Sequence, residues 1–396
     1  MIGDRLRRRR QALGFSLQDL ADRLEGIGVK LSRAALSNYE TNKAMPSAKT
    51  LWALASILEA SMEYFLSETS TRVVLQGFRK KARTPQSTVD RLTAFVTEEI
   101  EKRAELDALL GDSGPEEVPT QSLINAPEEA ESIAHSVRKQ WGLGNQPIAS
   151  VASLLESQGW YIVEVPNDPD FDGLAGYVED TGRPFAVSRK GISVDRTRLN
   201  LLHEAGHAYV AGLDEKASEK ATFRFATALL FPKERVYDEL GRKRSSIDME
   251  ELLMAKKKYG LSMQAIAFRL RDLGVISDSL FTMFFRYFNQ MNFRKEEPGS
   301  KELGFQEEPV AFASKLHRAF AEGLISENDA ARLMPGFRAT LEAPGRLSMS
   351  EIKKILSLPA EERERILAAS ADAAQEMYSD AEVNISGLAD DIIEYP

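Results

Sequence analysis

The run RLNLLHEAGHAYVAGL (198–213) constrains this chain more than any other stretch. Its apolar residues recur at helical spacing, and within it His203 and His207 stand four positions apart. On an α-helix that interval is about one turn, so both imidazoles lie on one face and can hold one metal ion. Glu204, beside the first histidine, is placed to take a proton from a water activated there. The chain has no cysteine and four histidines, His135, His203, His207 and His317. Any transition metal is therefore held by His and carboxylate, and zinc is the expected ion. A catalytic zinc usually keeps three protein ligands and one open position, and no third His is suitably placed. The remaining ligand should be a carboxylate. Asp214 and Glu215 follow Gly212 in what reads as an exit turn, whereas Glu219 opens a second apolar helix, ASEKATFRFATALLFP (217–232), that can pack beside the first.

With 396 residues the chain is long for one hydrophobic core, and several domains are expected. Helical periodicity dominates, interrupted by short strand-like runs at 160–165, 175–179 and 185–188, so the fold class is mainly α with a small β-sheet (α+β). The expected organisation is a helical bundle over 1–70, a helical connector over 71–120, a metal-binding domain over 121–290, a helical extension over 291–346, and an acidic helix and tail over 347–396. No run approaches the roughly 18 apolar residues of a membrane span. The basic start MIGDRLRRRR has no apolar signal core behind it. Together with the missing cysteines this predicts a cytoplasmic protein with no membrane partner.

Charge is unevenly spread. Residues 1–66 hold ten Lys/Arg against seven Asp/Glu, and residues 347–396 hold four against eleven, on a chain of net charge −9. A basic head on an acidic chain predicts nucleic-acid contact confined to that head. Ser16, Ser32 and Ser47 are placed to cap successive short helices. The helix from Arg33 to Thr41 is the candidate reader of the major groove: Ala35, Leu36 and Tyr39 form its inner stripe, leaving Arg33, Ser37 and Asn38 outward. Arg and Asn suit bidentate contacts to guanine and adenine. Arg7, Arg8, Arg9, Arg10, Lys43 and Lys49 are candidate phosphate contacts.

These residues carry two resemblances. ALSNYETNKAMPSAKTLWALASIL, with its NYE-x-x-K-x-x-P phrase, resembles the Xre/lambda-repressor-like helix-turn-helix family over about residues 1–66, although the turn EGIGVKL (25–31) is longer than usual there. RTRLNLLHEAGHAYV followed by the Glu219-to-Pro232 stretch resembles the ImmA/IrrE family of zinc-dependent peptidases. That second resemblance implies Glu219, six residues before Phe225, as the third zinc ligand, with Thr222 and Phe223 replacing the usual small and Asn residues. It also implies cleavage of an Xre-type repressor, which controls stress-response or mobile-element genes. A peptide substrate is expected to pair by β-augmentation along an edge strand near Gly173–Val178.

The expected partners are a double-stranded DNA operator, read by a homodimer if the operator is palindromic, and a repressor or antitoxin protein. Two other readings remain open at this point. The chain is a non-catalytic transcription factor whose peptidase-like domain senses a ligand or protein, or it is an antitoxin-like binding protein acting through its acidic tail. A sensor has no need of Glu204, which separates the first of these from an enzyme.

Overall fold

The computed structural model describes residues 2–66, 71–80, 84–169, 171–293 and 297–337, and the isolated positions 359, 362 and 365. The chain divides into two units, residues 1–334 and 335–396. The acidic helix and tail expected over 347–396 otherwise lie outside the described residues.

The first 66 residues form five short helices: α1 (Ile2–Ala12), α2 (Leu17–Gly26), α3 (Arg33–Glu40), α4 (Ala48–Ile57) and α5 (Met62–Leu66). Three of the starts are set by serine N-caps. Ser16, Ser32 and Ser47 accept hydrogen bonds from the amides of Asp19, Ala35 and Thr50, satisfying donors that a helix start leaves open. Leu6, Leu20, Leu24, Leu36, Leu51, Leu54, Leu58 and Phe65 close the bundle's core.

The segment 71–120, expected as a helical connector, carries a strand first. β1 (Val73–Lys80) precedes the long helix α6 (Gln86–Leu110). Next come β2 (Ser122–Leu123), α7 (Ala130–Gln140), α8 (Val151–Ser157), β3 (Tyr161–Val165), β4 (Phe171–Val178) and β5 (Pro184–Arg189). Then follow α9 (Val194–Gly206), β6 (Val210–Ala211), α10 (Glu215–Leu230), α11 (Lys233–Leu240), α12 (Met249–Tyr259), α13 (Met263–Asp272) and α14 (Asp278–Gln290). Two further helices, α15 (Ala311–Ala321) and α16 (Glu327–Leu333), complete the first unit.

The main sheet is mixed, in the order β1-β4-β5-β3: β1 and β5 run antiparallel to β4, and β3 runs parallel to β5. A second, two-stranded sheet pairs β2 with β6. The main sheet lies between two helical layers. On one face Leu92, Val96 and Ile100 of α6 pack against Val163, Leu174, Val178 and Phe185. On the other, α9 and α10 join α7, α8 and α11–α14 in the largest core, which includes Leu201, Leu202, Phe225, Leu229, Phe231, Tyr259, Ile266 and Phe288. The strands alternate between these two apolar layers, which is why the central strand β5 is buried from Pro184 to Ser188.

The polar stretch 297–308 ties helices together. Two buried glutamates do this. Glu297 accepts the amides of Met263 and Gln264 at the start of α13 and pairs with the buried Lys256. Glu307 accepts the amides of Val151 and Ala152 at the start of α8 and pairs with the fully buried Arg198 of α9. No helix among the described residues is long and apolar enough to cross a membrane.

Candidate metal centre and nucleic-acid face

Both histidines sit at the C-terminal end of α9, His203 inside it and His207 as its C-cap. Their rings lie 5.1 Å apart, centroid to centroid. Asp214 caps α10 by accepting the amide of Ala217, so its side chain serves the helix entry. One turn into α10, Glu219 faces the histidines: its two carboxylate oxygens lie 3.4 Å from His203 Nε2 and 3.6 Å from His207 Nε2. The three donor atoms fall within 4.8 Å of one another. A tetrahedral ion with bonds of about 2.0–2.1 Å needs donors roughly 3.3 Å apart. Two imidazoles and a carboxylate at these separations are therefore a donor set that fits zinc. His203 is fully buried, His207 is partly exposed and the Glu219 side chain is 40% exposed, so one side of the cluster opens to solvent.

Glu204 is also buried, on the flank of α9 that meets β4. There the strand comes so close that a Cβ on Gly173 would stand 2.0 Å from Glu204 Oε1. The sequence marks Gly173 only as one end of the expected edge strand; the signal for its contact with Glu204 lies in FDGLAGYV, since glycine inside a strand often marks a close approach. Asn200 holds the two elements in register by donating to the Asp172 carbonyl, 3.2 Å away. On the α10 side, Thr222 Oγ1 is 3.5 Å from His203 Nε2, and the Phe223 ring meets the His203 ring edge-on at 4.7 Å. Phe223 is 41% exposed, which gives the mouth of the cluster an apolar wall. Behind it, Tyr209 stacks on Phe225, and burial, helped by Glu117, pushes its phenol well above the usual range.

One expectation about this site is overturned. Gly173–Val178 is not a free edge, because β1 pairs along its outer side. The strand that fills the edge comes from a polar-flanked segment about a hundred residues earlier in the chain.

In the bundle, Arg33 and Asn38 are exposed on α3 and Ser37 is half-buried. Arg7, Lys43 and Lys49 are exposed as well. The other three arginines of the basic run point inward, contrary to their expected role as phosphate contacts. Arg10 grips Glu40 with two bonds of 2.6 and 2.8 Å and donates to the Phe15 carbonyl. Arg9 donates to the Leu58 and Glu59 carbonyls and pairs with the buried Glu98 of α6 at 2.8 Å. Arg8 pairs with Glu101 of the same helix. Tyr64 also donates to Glu98. The physical reason is desolvation: these carboxylates are buried or nearly so, and each needs a cation beside it. What reads as a phosphate grip is largely the clamp between the bundle and α6.

Comparison with known proteins adds three findings. Residues 6–65 match the family described as helix-turn-helix, and residues 178–271 match the IrrE N-terminal-like domain. The chain is also 32% identical over 102 residues to the SPbeta prophage-derived uncharacterized HTH-type transcriptional regulator YonR of Bacillus subtilis (strain 168). That stretch is 26% of this chain and 87% of the relative.

Proposed function

Because the chain belongs to the helix-turn-helix regulators and carries an IrrE N-terminal-like domain as well, we propose that it is a DNA-tethered zinc endopeptidase that cuts a repressor or antitoxin protein. The observation that carries this reading is the convergence of His203, His207 and Glu219, with the carboxylate of Glu204 buried on the same helix. His203, His207 and Glu219 would hold the ion. Zinc bound there would supply a Lewis acid able to polarise a peptide carbonyl and to make a water acidic enough to attack at neutral pH. Glu204 accepts the proton of the attacking water on a carboxylate oxygen and returns it to the departing amine nitrogen as the C–N bond breaks. Gly173 leaves the space in which that carboxylate sits, and Asn200 keeps β4 against α9.

Residues 1–70 supply the address. Arg33, Ser37 and Asn38 read base edges, while Arg7, Lys43 and Lys49 neutralise phosphates. A homodimer on a palindromic operator places two such helices one helical turn of DNA apart. Peptidase and operator are thereby held at one locus.

Glu204→Gln tests the reading, because it keeps shape and removes the base. Zinc content and operator binding should survive, while induction of a reporter gene behind the operator should fail. General acid–base help is worth roughly 10²–10⁴-fold, enough to silence the response. Normal induction by the variant returns the peptidase-like domain to the role of a sensor.

A further inference from the structure

The strand that borders Glu204 is β4, at Gly173. A strand edge at such a place accepts an extended peptide well: main-chain hydrogen bonds give affinity, and alternate side chains give selectivity. In this chain the outer edge of β4 is already taken. β1 runs along it antiparallel, with Val73 opposite Val178, Gln76 opposite Ala175 and Arg79 opposite Gly173. The backbone paired with β4 opposite Gly173 is thus the chain's own, from the segment that follows the bundle.

β1 is the least secured strand of this sheet. It pairs on one side, and its register slips twice in eight residues, between Gln76 and Phe78 and between Arg79 and Lys80. Val73–Gln76 are half-buried, whereas β5 is buried from Pro184 to Ser188. Among its described side chains, Val73 and Leu75 pack against the layer of Leu174, Val178 and Phe185. β4 in turn is shaped to receive a backbone: a Cβ on Gly176 would stand 2.1 Å from the Val74 carbonyl oxygen. Strands with few buried contacts open locally far more often than the core beside them.

We propose that β1 is an exchangeable occupant of the peptide-accepting edge of β4, and that the partner it gives way to is an extended segment of another protein with apolar residues two positions apart. The spacing follows from Val73 and Leu75, whose places the incoming side chains take. Return of β1 closes the edge. The endopeptidase reading enters only for what happens to the peptide once it is seated.

The probe is a fluorescein-labelled synthetic peptide of residues 71–80, TRVVLQGFRK, read by anisotropy against the full chain. Two variants bracket the exchange. Val73→Cys with Val178→Cys places thiols on directly opposed residues in a chain that has no other cysteine. The neighbouring Arg72–Glu179 pair carries a ladder bond, so this pair is a non-hydrogen-bonded one, with Cα atoms about 4.5 Å apart, within disulfide reach. Val74→Pro removes a ladder N–H and frees the edge. The oxidised pair should bind the peptide at least tenfold more weakly than its reduced form, and Val74→Pro at least tenfold more tightly than wild type. Equal binding in all forms, or none to a folded Val74→Pro protein, overturns the proposal.

If Val74→Pro does not fold, hydrogen exchange of the wild type decides: the ladder-bonded amide of Val74 should exchange at least tenfold faster than the ladder-bonded amides of Phe185–Ser188. Equal protection overturns it. A peptide that binds Val74→Pro and is not cut in the presence of zinc leaves the edge assigned and removes the peptidase reading. Failure to bind removes the edge whatever the metal centre does.

Discussion

Glu307→Ala should destabilise the unit that carries both histidines by more than any surface change. Arg198 lies on α9 five residues before His203, and its guanidinium is fully buried. It donates to the Glu307 carboxylate, to the carbonyls of Ile148 at 2.7 Å and Ala149 at 3.3 Å, and stacks over Phe305 at 4.0 Å. Burial pushes its pKa down against the pull of Glu307. Removing the carboxylate strands a buried cation, a loss of about 3–5 kcal/mol. It also takes the acceptor from the amides of Val151 and Ala152 at the start of α8. At roughly 2–4 °C per kcal/mol for a domain of 150–250 residues, the transition should fall by about 6–20 °C. Scanning calorimetry of the full chain measures this. Arg198→Met should cost less, because the carboxylate left behind still accepts both amides. A Glu307→Ala shift under about 3 °C, or a larger loss from Arg198→Met, would mean that Glu307 does not neutralise Arg198 at a cost to stability when removed.

His203→Ala and His207→Ala should abolish zinc binding and Glu219→Ala should weaken it severely, measured by competition with a chromogenic chelator; full affinity in Glu219→Ala with loss in Asp214→Ala would mean the wrong carboxylate. Arg33→Ala and Asn38→Ala should each relax sequence preference by roughly 1–3 kcal/mol at the bases read, in titrations against operator mutants. Lys43→Ala should instead weaken all sequences alike and lower the salt slope by about 1. Arg10→Ala should leave that slope unchanged and lower the melting temperature of the bundle, because Glu40 loses both its bonds. A changed slope with unchanged melting would restore Arg10 to the phosphate face.

Local signals carried most of what the sequence disclosed. Serine caps at 16, 32 and 47 and the apolar spacing of the bundle are decided within a few residues, and the structure follows them. The i, i+4 histidines are of the same kind; Glu219 was one of three carboxylates the spacing left open, implied as ligand by the family resemblance, and the structure sets it 3.4 and 3.6 Å from the two rings. What escaped depends on partners far away in the chain. VVLQGFRK has too few apolar alternations to declare a strand, and becomes one because β4 offers an edge about a hundred residues later. Arg8 and Arg9 looked like a phosphate grip because Glu101 and Glu98 lie some ninety positions on. Glu297 and Glu307 sit in a stretch polar enough to pass for solvent-exposed loop, and only the assembled core shows the helix starts and cations they satisfy.

Whether this chain cuts protein is read most directly from a census of protein N-termini. Cells carrying the wild-type chain are compared with cells carrying Glu204→Gln, under inducing conditions and at matched expression. Both proteins should purify with about one zinc per chain. At least one internal N-terminus, in a repressor or antitoxin, should be present with the wild type and absent with the variant. Identical sets of N-termini from two equally zinc-loaded proteins would contradict proteolysis by this chain.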